Sequence, residues 1–131
     1  MRNQKGFTLI EIIAVLVILG ILAAVAVPRY LDLAQDAKAQ AAQAQVAEMK
    51  STLNLAYARI FIRTGSAPTT GAAVITEAGF TDGTPANVGT APDVWNIEFQ
   101  YGTGNSLKLV VNSRNTETGY NATGTWNMPS N

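Results

Sequence analysis

The chain has 131 residues, enough for one small domain plus an apolar anchor, and nine basic side chains balance nine acidic ones. Cysteine and histidine are both absent, which excludes a disulfide framework and removes the usual members of hydrolytic triads and most zinc sites. A balanced charge indicates no specific nucleic-acid partner, because such partners are bound by basic patches.

An apolar run extends from Phe7 to Val27, with Glu11 as its only charged residue. As a helix, these roughly 21 residues span about 31 Å, close to the hydrocarbon core of a bilayer at about 30 Å. Arg2 and Lys5 precede the run. The positive-inside tendency therefore places the N-terminus in the cytoplasm and exports the rest. The run is predicted to be a transmembrane helix.

Glu11 is the exception in this run. A carboxylate within an apolar span costs a few kcal/mol unless it protonates or finds a partner, which makes it a candidate functional residue. Alternatively, Glu11 lies near the membrane interface and its carboxylate reaches the headgroups. Its position one turn inside the run leaves both interpretations open.

The start of the chain resembles the type IV pilins and the related pseudopilins of type II secretion, through the sequence KGFTLIE at residues 5–11 and the apolar run to Pro28. The resemblance implies cleavage after Gly6 by a prepilin peptidase, followed by N-methylation of Phe7. It also implies a helical homo-oligomeric filament in which Glu11, the fifth mature residue, pairs with the Phe7 amine of a neighbouring subunit. Polymerisation would need an inner-membrane assembly platform and a cytoplasmic ATPase.

An ordinary secretory signal peptide is the main alternative. It would combine the basic start with small residues at Ala24 and Ala26, and cleavage after Ala26 would leave a soluble protein beginning at Val27. The run is longer than the usual apolar region of about 7–15 residues, and a glutamate at its start fits poorly. These features favour the prepilin interpretation.

Four segments follow from this interpretation: a leader (1–6), a transmembrane and filament-core helix (7–28), an amphipathic helical half (29–64) and a globular head with a connecting loop (65–131). Apolar residues spaced by three and four predict the core-facing stripe of the amphipathic half. They are Ala42, Val46, Met49, Leu53, Ala56, Tyr57 and Ile60.

Two positions weaken the long helix. Pro28 lacks a backbone donor and predicts a kink or local break nearby, and Gly20 has a low helix propensity. The resemblance implies that the stretch between them loses helical order in the assembled filament. Alternatively, Gly20 permits close helix packing and Pro28 produces a gentle bend.

The head is predicted to carry a short helix, Ala72–Ala78, and a hairpin over Val94–Asn112 with its turn at 102–105. Alternating apolar residues on the hairpin face the core: Trp95, Ile97, Phe99, Tyr101, Leu107, Leu109 and Val111. Glu98 is expected opposite Lys108. A third strand is predicted between Tyr120 and Met128, with Tyr120 and Trp126 in the core. The fold class is therefore α+β, a long N-terminal helix on an antiparallel sheet of about three strands.

The C-terminal region contains little metal-binding chemistry. Major pseudopilins usually hold calcium in a C-terminal loop, but Glu117 is the only acid after Glu98, and calcium needs several oxygen ligands. We therefore expect neither a metal nor a cofactor. No nucleophile motif, phosphate loop or recognisable carboxylate pair indicates an enzyme.

The predicted function is that of a structural pilin subunit serving adhesion, motility or DNA uptake. It would reside in the inner membrane before assembly and in a surface filament afterwards. A major-type pseudopilin of type II secretion, in a periplasmic pseudopilus, is one alternative. A membrane-anchored exported binding domain that never polymerises is the other.

Overall fold

The computed structural model describes residues 6–102 and 105–129. Two helices precede four strands: α1 (Leu9–Thr64), α2 (Gly71–Glu77), β1 (Ala86–Thr90), β2 (Asp93–Tyr101), β3 (Ser106–Arg114) and β4 (Ala122–Asn127). The strands form one antiparallel sheet in the order β1-β2-β3-β4. The chain divides into two compact units, one reaching Asp36 and the other beginning at Ala37.

The predicted α+β class, long helix, short helix and hairpin are confirmed, but the sheet has four strands rather than about three. The additional strand is β1. It lies in a stretch rich in glycine and proline that resembles a succession of turns. Its glycine, Gly89, has a φ of 100°, which a residue with a side chain rarely adopts.

The head core lies between one face of the sheet and the second half of α1. The predicted stripe is buried at Ala42, Val46, Met49, Leu53, Ala56 and Ile60, whereas Tyr57 is half-buried. Tyr120 and Trp126 are buried as predicted. Tyr101 is a wrong prediction: it ends β2 and is 46 % exposed. The alternation of apolar and polar residues predicts which face of the sheet a side chain lies on. At the end of a strand, however, no neighbouring residue needs to cover that side chain.

The hairpin register differs from expectation. Glu98 faces Val110, and Lys108 faces Gln100, so the predicted Glu98–Lys108 pair is wrong by two positions. Glu98 Oε1 instead accepts a hydrogen bond of 2.7 Å from Gln100 Nε2. The predicted turn at 102–105 falls partly outside the described residues.

Three asparagines cross the half-exposed outer face of the sheet. Asn112 Nδ2 donates to Asn96 Oδ1, and Asn96 Nδ2 donates to Asn87 Oδ1, each over 3.2 Å. These side chains connect β3, β2 and β1 in one row, which we call the asparagine ladder. Cross-strand side-chain hydrogen bonds of this kind stabilise a sheet modestly.

Strand β4 docks closely on α1. Gly124 packs on Val46, where a Cβ at position 124 would overlap the valine methyl group. Two residues along, Trp126 Nε1 donates a hydrogen bond of 2.7 Å to Asn54 Oδ1. Strand β4 is therefore fixed on α1 in two ways. Gly124 allows close approach of the backbone, and the buried indole of Trp126 has a hydrogen-bond partner for its N–H.

The loop between β3 and β4 is held by an ion pair to α1. Lys38 Nζ lies 2.7 Å from Glu117 Oε1 and 5.2 Å from the ring centroid of Tyr120. Tyr120 in turn meets Trp95 edge-on, with centroids 5.5 Å apart. The hydrogen bond to Lys38 lowers the pKa of Glu117, and the same contact raises the pKa of Lys38.

A second ion pair connects the end of β3 to the start of β2, next to the same loop. Arg114 Nε lies 2.6 Å from Asp93 Oδ1, and its guanidinium is 5.4 Å from the ring of Trp95. Asn115 Oδ1 accepts a hydrogen bond of 2.8 Å from Val94 N–H. The loop is therefore attached both to α1 and to the β1–β2 turn.

We expect Glu117→Gln to lower the thermal unfolding midpoint slightly at pH 7 and not at pH 3. Because Lys38 lowers the pKa of Glu117, the folded state binds that proton more weakly than the unfolded state. The contribution is present above the unfolded pKa, ordinarily about 4.3, and is lost as the pH falls through the folded pKa. Both partners are solvent-accessible, so the effect is small.

The measurement is a pair of melting curves in detergent at each pH. Glu48→Gln is the matched control, because Glu48 is an exposed glutamate on α1 that makes no ion pair within the described residues. An equal loss at both pH values would contradict a charge-based role for Glu117.

Candidate assembly site at the start of the long helix

Thr8 and Glu11 cap the first turn of α1 reciprocally. The Thr8 amide N–H and the Thr8 hydroxyl each donate to Glu11 Oε2 over 2.9 Å. In return, Glu11 N–H donates to Thr8 Oγ1 over 3.4 Å. Helix α1 begins at Leu9, so Thr8 is the N-cap and Glu11 the third helical residue. This is a capping box, which satisfies backbone donors that the first turn of a helix leaves unpaired.

The sequence interpretation missed this local role of Glu11. The signal was available in the spacing Thr8-Leu9-Ile10-Glu11, a threonine followed three residues later by a glutamate before an apolar run.

The residues around the capping box are exposed. Phe7 is 83 % exposed, and every residue from Gly6 to Leu33 is in the exposed class. Among the described residues, α1 is the helix long and apolar enough to cross a membrane. Fully burying one large aliphatic side chain is worth about 1.5–3 kcal/mol. Cover for this surface must therefore come from lipid or from other chains.

The residues predicted for cleavage and methylation precede the helix. Gly6 and Phe7 lie outside α1 and are exposed. A Cβ built at Gly6 would meet no atom within 4 Å, so packing inside this chain does not require a glycine there. Their predicted roles in cleavage and methylation stay predictions.

Helix α1 is continuous at Gly20 and Pro28. The two positions therefore do not interrupt the helix of the single subunit. A Cβ built at Gly20 would also meet no atom within 4 Å, so any close packing there would involve another chain. A bend at these residues, and loss of helical order on assembly, stay predictions.

The described residues hold no group of three or more histidine, cysteine, aspartate or glutamate side chains that would suit a metal ion. Glu117, the acid of the C-terminal loop, is paired with Lys38. At the start of α1, one carboxylate, Glu11, lies amid exposed apolar side chains.

The sequence of this chain is similar to those of known proteins. Residues 1–27 match the family model described as the prokaryotic N-terminal methylation motif. Over 99 residues the chain is 35 % identical to the fimbrial protein EcpB of Eikenella corrodens, covering 76 % of this chain and 51 % of that protein. The chain belongs to the type IV pilin and pseudopilin family.

Relatives occur in both branches of the family. This chain is 45 % identical over 67 residues to the type IV narrow pilus major component PilA5 of Thermus thermophilus. The match covers 51 % of this chain and 54 % of that protein. The chain is 44 % identical over 54 residues to the type II secretion system core protein G of Pseudomonas aeruginosa, covering 41 % and 38 %. The chain thus spans about half or less of these relatives. No solved structure is significantly similar to it.

We expect Thr8→Val to expose the Glu11 amide to hydrogen exchange and Thr8→Ser to preserve its protection. Valine matches threonine in shape but removes the hydroxyl, and loss of an N-cap residue costs about 1 kcal/mol. The measurement is amide exchange by NMR on the detergent-solubilised chain. Equal protection of the Glu11 amide in Thr8→Val and the unmodified chain would show that the capping box does not form there.

Proposed function

We propose that this chain is a structural subunit of a type IV pilus-like filament. It is inserted in the inner membrane with its N-terminus in the cytoplasm and its head exported. A prepilin peptidase cleaves it after Gly6 and Phe7 is N-methylated. The subunits then polymerise through α1, and the product serves adhesion, motility or DNA uptake. The chain catalyses nothing itself.

The observation that carries the proposal is the uncovered apolar helix. All residues from Gly6 to Leu33 are exposed, and the aliphatic residues among them lie on every side of α1. A membrane covers such a surface before assembly, and neighbouring helices cover it in a filament. A helix that is apolar all round belongs in one of these two environments.

The charge of Glu11 gives the assembly its specific contact. The capping box satisfies hydrogen bonds of the carboxylate, but Thr8 is neutral and leaves the negative charge uncompensated. The next cation along the helix, Arg29, lies eighteen residues away, or about 27 Å at helical rise. Cleavage removes Arg2 and Lys5 and creates an amine at Phe7. The Phe7 amine of a neighbouring subunit then supplies the positive partner that a buried carboxylate requires.

The partners follow from the same proposal. The exposed, non-helical Gly6–Thr8 segment suits entry into the peptidase and methyltransferase site. An inner-membrane platform driven by a cytoplasmic ATPase would extract the subunit, since moving α1 out of lipid is uphill until neighbouring helices cover it.

A pseudopilin of type II secretion is the second candidate, supported by the similarity to core protein G of Pseudomonas aeruginosa. The pilus is preferred because the C-terminal loop holds one carboxylate, Glu117, which an ion pair to Lys38 already occupies. Calcium prefers six to eight oxygen ligands, several of them carboxylates.

Glu11→Gln is expected to abolish filaments without preventing insertion or cleavage. Glutamine keeps an acceptor for Thr8 and nearly the same shape, so only the charge is lost. The measurement is electron microscopy of sheared filaments, together with the intact mass of the membrane-bound subunit. That mass should correspond to a chain beginning at Phe7. The unmodified chain should also carry one methyl group.

Glu48→Gln is the matched control and should assemble normally. Normal filaments from Glu11→Gln would contradict the charge-pair mechanism. A chain that never forms filaments, with or without Glu11, would instead be a membrane-anchored binding domain. A mature chain beginning at Val27 would identify the run as a secretory signal.

Deletion of the gene separates the two filament classes. We expect loss of long surface filaments visible by electron microscopy, with secretion of exported enzymes into the medium unchanged. Loss of secretion with surface filaments intact would instead assign the subunit to a type II secretion pseudopilus. Complementation with the unmodified gene is the control for both measurements.

A further inference from the structure

Strand β4 is an edge strand without the features that usually prevent edge pairing. It ends the sheet beyond β3. No charged side chain occurs from Thr118 to Asn131, and Ala122–Asn127 contains no proline. Natural sheets protect their edges with charges, prolines, bulges or a covering segment, because an open edge pairs readily with another strand.

The opposite edge of the same sheet is protected. Strand β1 is short and follows Pro85, and Gly89 interrupts it with a φ of 100°. A proline follows both edge strands, Pro92 after β1 and Pro129 after β4, but the charged residue Asp93 lies just beyond β1 and no charged residue follows β4. The contrast between the two edges locates a contact surface on β4.

The hydrogen-bond pattern shows which residues face outward. Met128 N–H donates to the carbonyl of Asn105 over 3.0 Å, which continues the β3–β4 register by one hydrogen-bonded pair. Since such pairs alternate along an antiparallel ladder, Ala122, Gly124 and Trp126 direct their backbone groups toward β3. Thr123, Thr125 and Asn127 direct theirs away from the sheet, and the side chains of these three are exposed.

We propose that the β4 edge pairs antiparallel with the β4 edge of a second copy of this chain, with Thr125 on the two-fold axis. In this register Thr125 lies opposite Thr125 of the second copy. Thr123 lies opposite Asn127 at both ends of the paired segment. Hydroxyl and amide side chains then lie opposite each other on the outer face, a favourable cross-strand combination.

This contact lies outside the filament lattice. Subunits of a polar helical filament are related by a screw operation, and a two-fold pair gives an isologous contact that such an operation does not generate. The β4 edges therefore join subunits of two filaments that run in opposite directions. The inference concerns the head surface and does not depend on how α1 assembles.

The absence of cysteine makes single-cysteine cross-linking a clean test. Full-length chains in detergent are oxidised and analysed by non-reducing electrophoresis. Thr125→Cys should form a disulfide dimer, because directly opposed residues have Cα atoms about 5.5 Å apart, within disulfide range. Thr123→Cys alone and Asn127→Cys alone should stay monomeric. An equal mixture of the two should give the heterodimer.

Two controls make the outcome decisive. Thr90→Cys, exposed on the protected edge, should not cross-link, and adding Thr125→Lys should abolish the Thr123→Cys/Asn127→Cys heterodimer. Cross-linking at every position would show non-specific aggregation and overturn the proposal. So would its absence from all variants that retain the circular dichroism of the unmodified chain.

The same cysteine test should succeed in a Glu11→Val background. That result separates the head contact from the helix-driven assembly: filaments should disappear while the Thr125→Cys dimer stays. Loss of the dimer in that background would show that head pairing requires the filament, and would overturn the contact proposed here.

Discussion

Among the described residues, no apolar side chain of the same subunit covers the first half of α1, and the other features of the molecule depend on this constraint. Residues that would form a core in a soluble protein are exposed along more than six turns of helix. One carboxylate, Glu11, lies at the start of this surface and is held by Thr8 rather than by an opposite charge. The helix of the single subunit is thus fully formed, but the apolar side chains of its first half are not packed against other described residues. In the filament proposed above, neighbouring subunits supply both missing components, the apolar neighbours and the cation.

In the head, a small sheet has to be fixed on the second half of α1. Close approach at Gly124 and Val46, together with the Trp126–Asn54 hydrogen bond, fixes β4. The Lys38–Glu117 ion pair fixes the preceding loop. These contacts hold the C-terminal part of the head in a chain that contains no cysteine.

The periodicity of apolar residues predicted the helices and strands well, but it predicted poorly which residues contact each other. The spacing of apolar residues located α1, the hairpin and β4, because burial of one face leaves a regular pattern in the sequence. Strand β1 was missed since Gly89 and the flanking prolines are typical of turns. The Glu98–Lys108 register was wrong because a hairpin register depends on its turn, which alternation does not specify. Lys38–Glu117 joins residues 79 positions apart, and no local pattern indicates such a pair.

The asparagine ladder gives the outer face of the sheet a particular environmental tolerance. Asn87, Asn96 and Asn112 hold three strands together through neutral amides. Ionic strength screens contacts between exposed charges, whereas hydrogen bonds between uncharged amides carry no net charge to be screened. Amides also do not titrate between acid and alkaline surroundings. The hydrogen bonds of the ladder should therefore persist in fresh water, in brine and in acid.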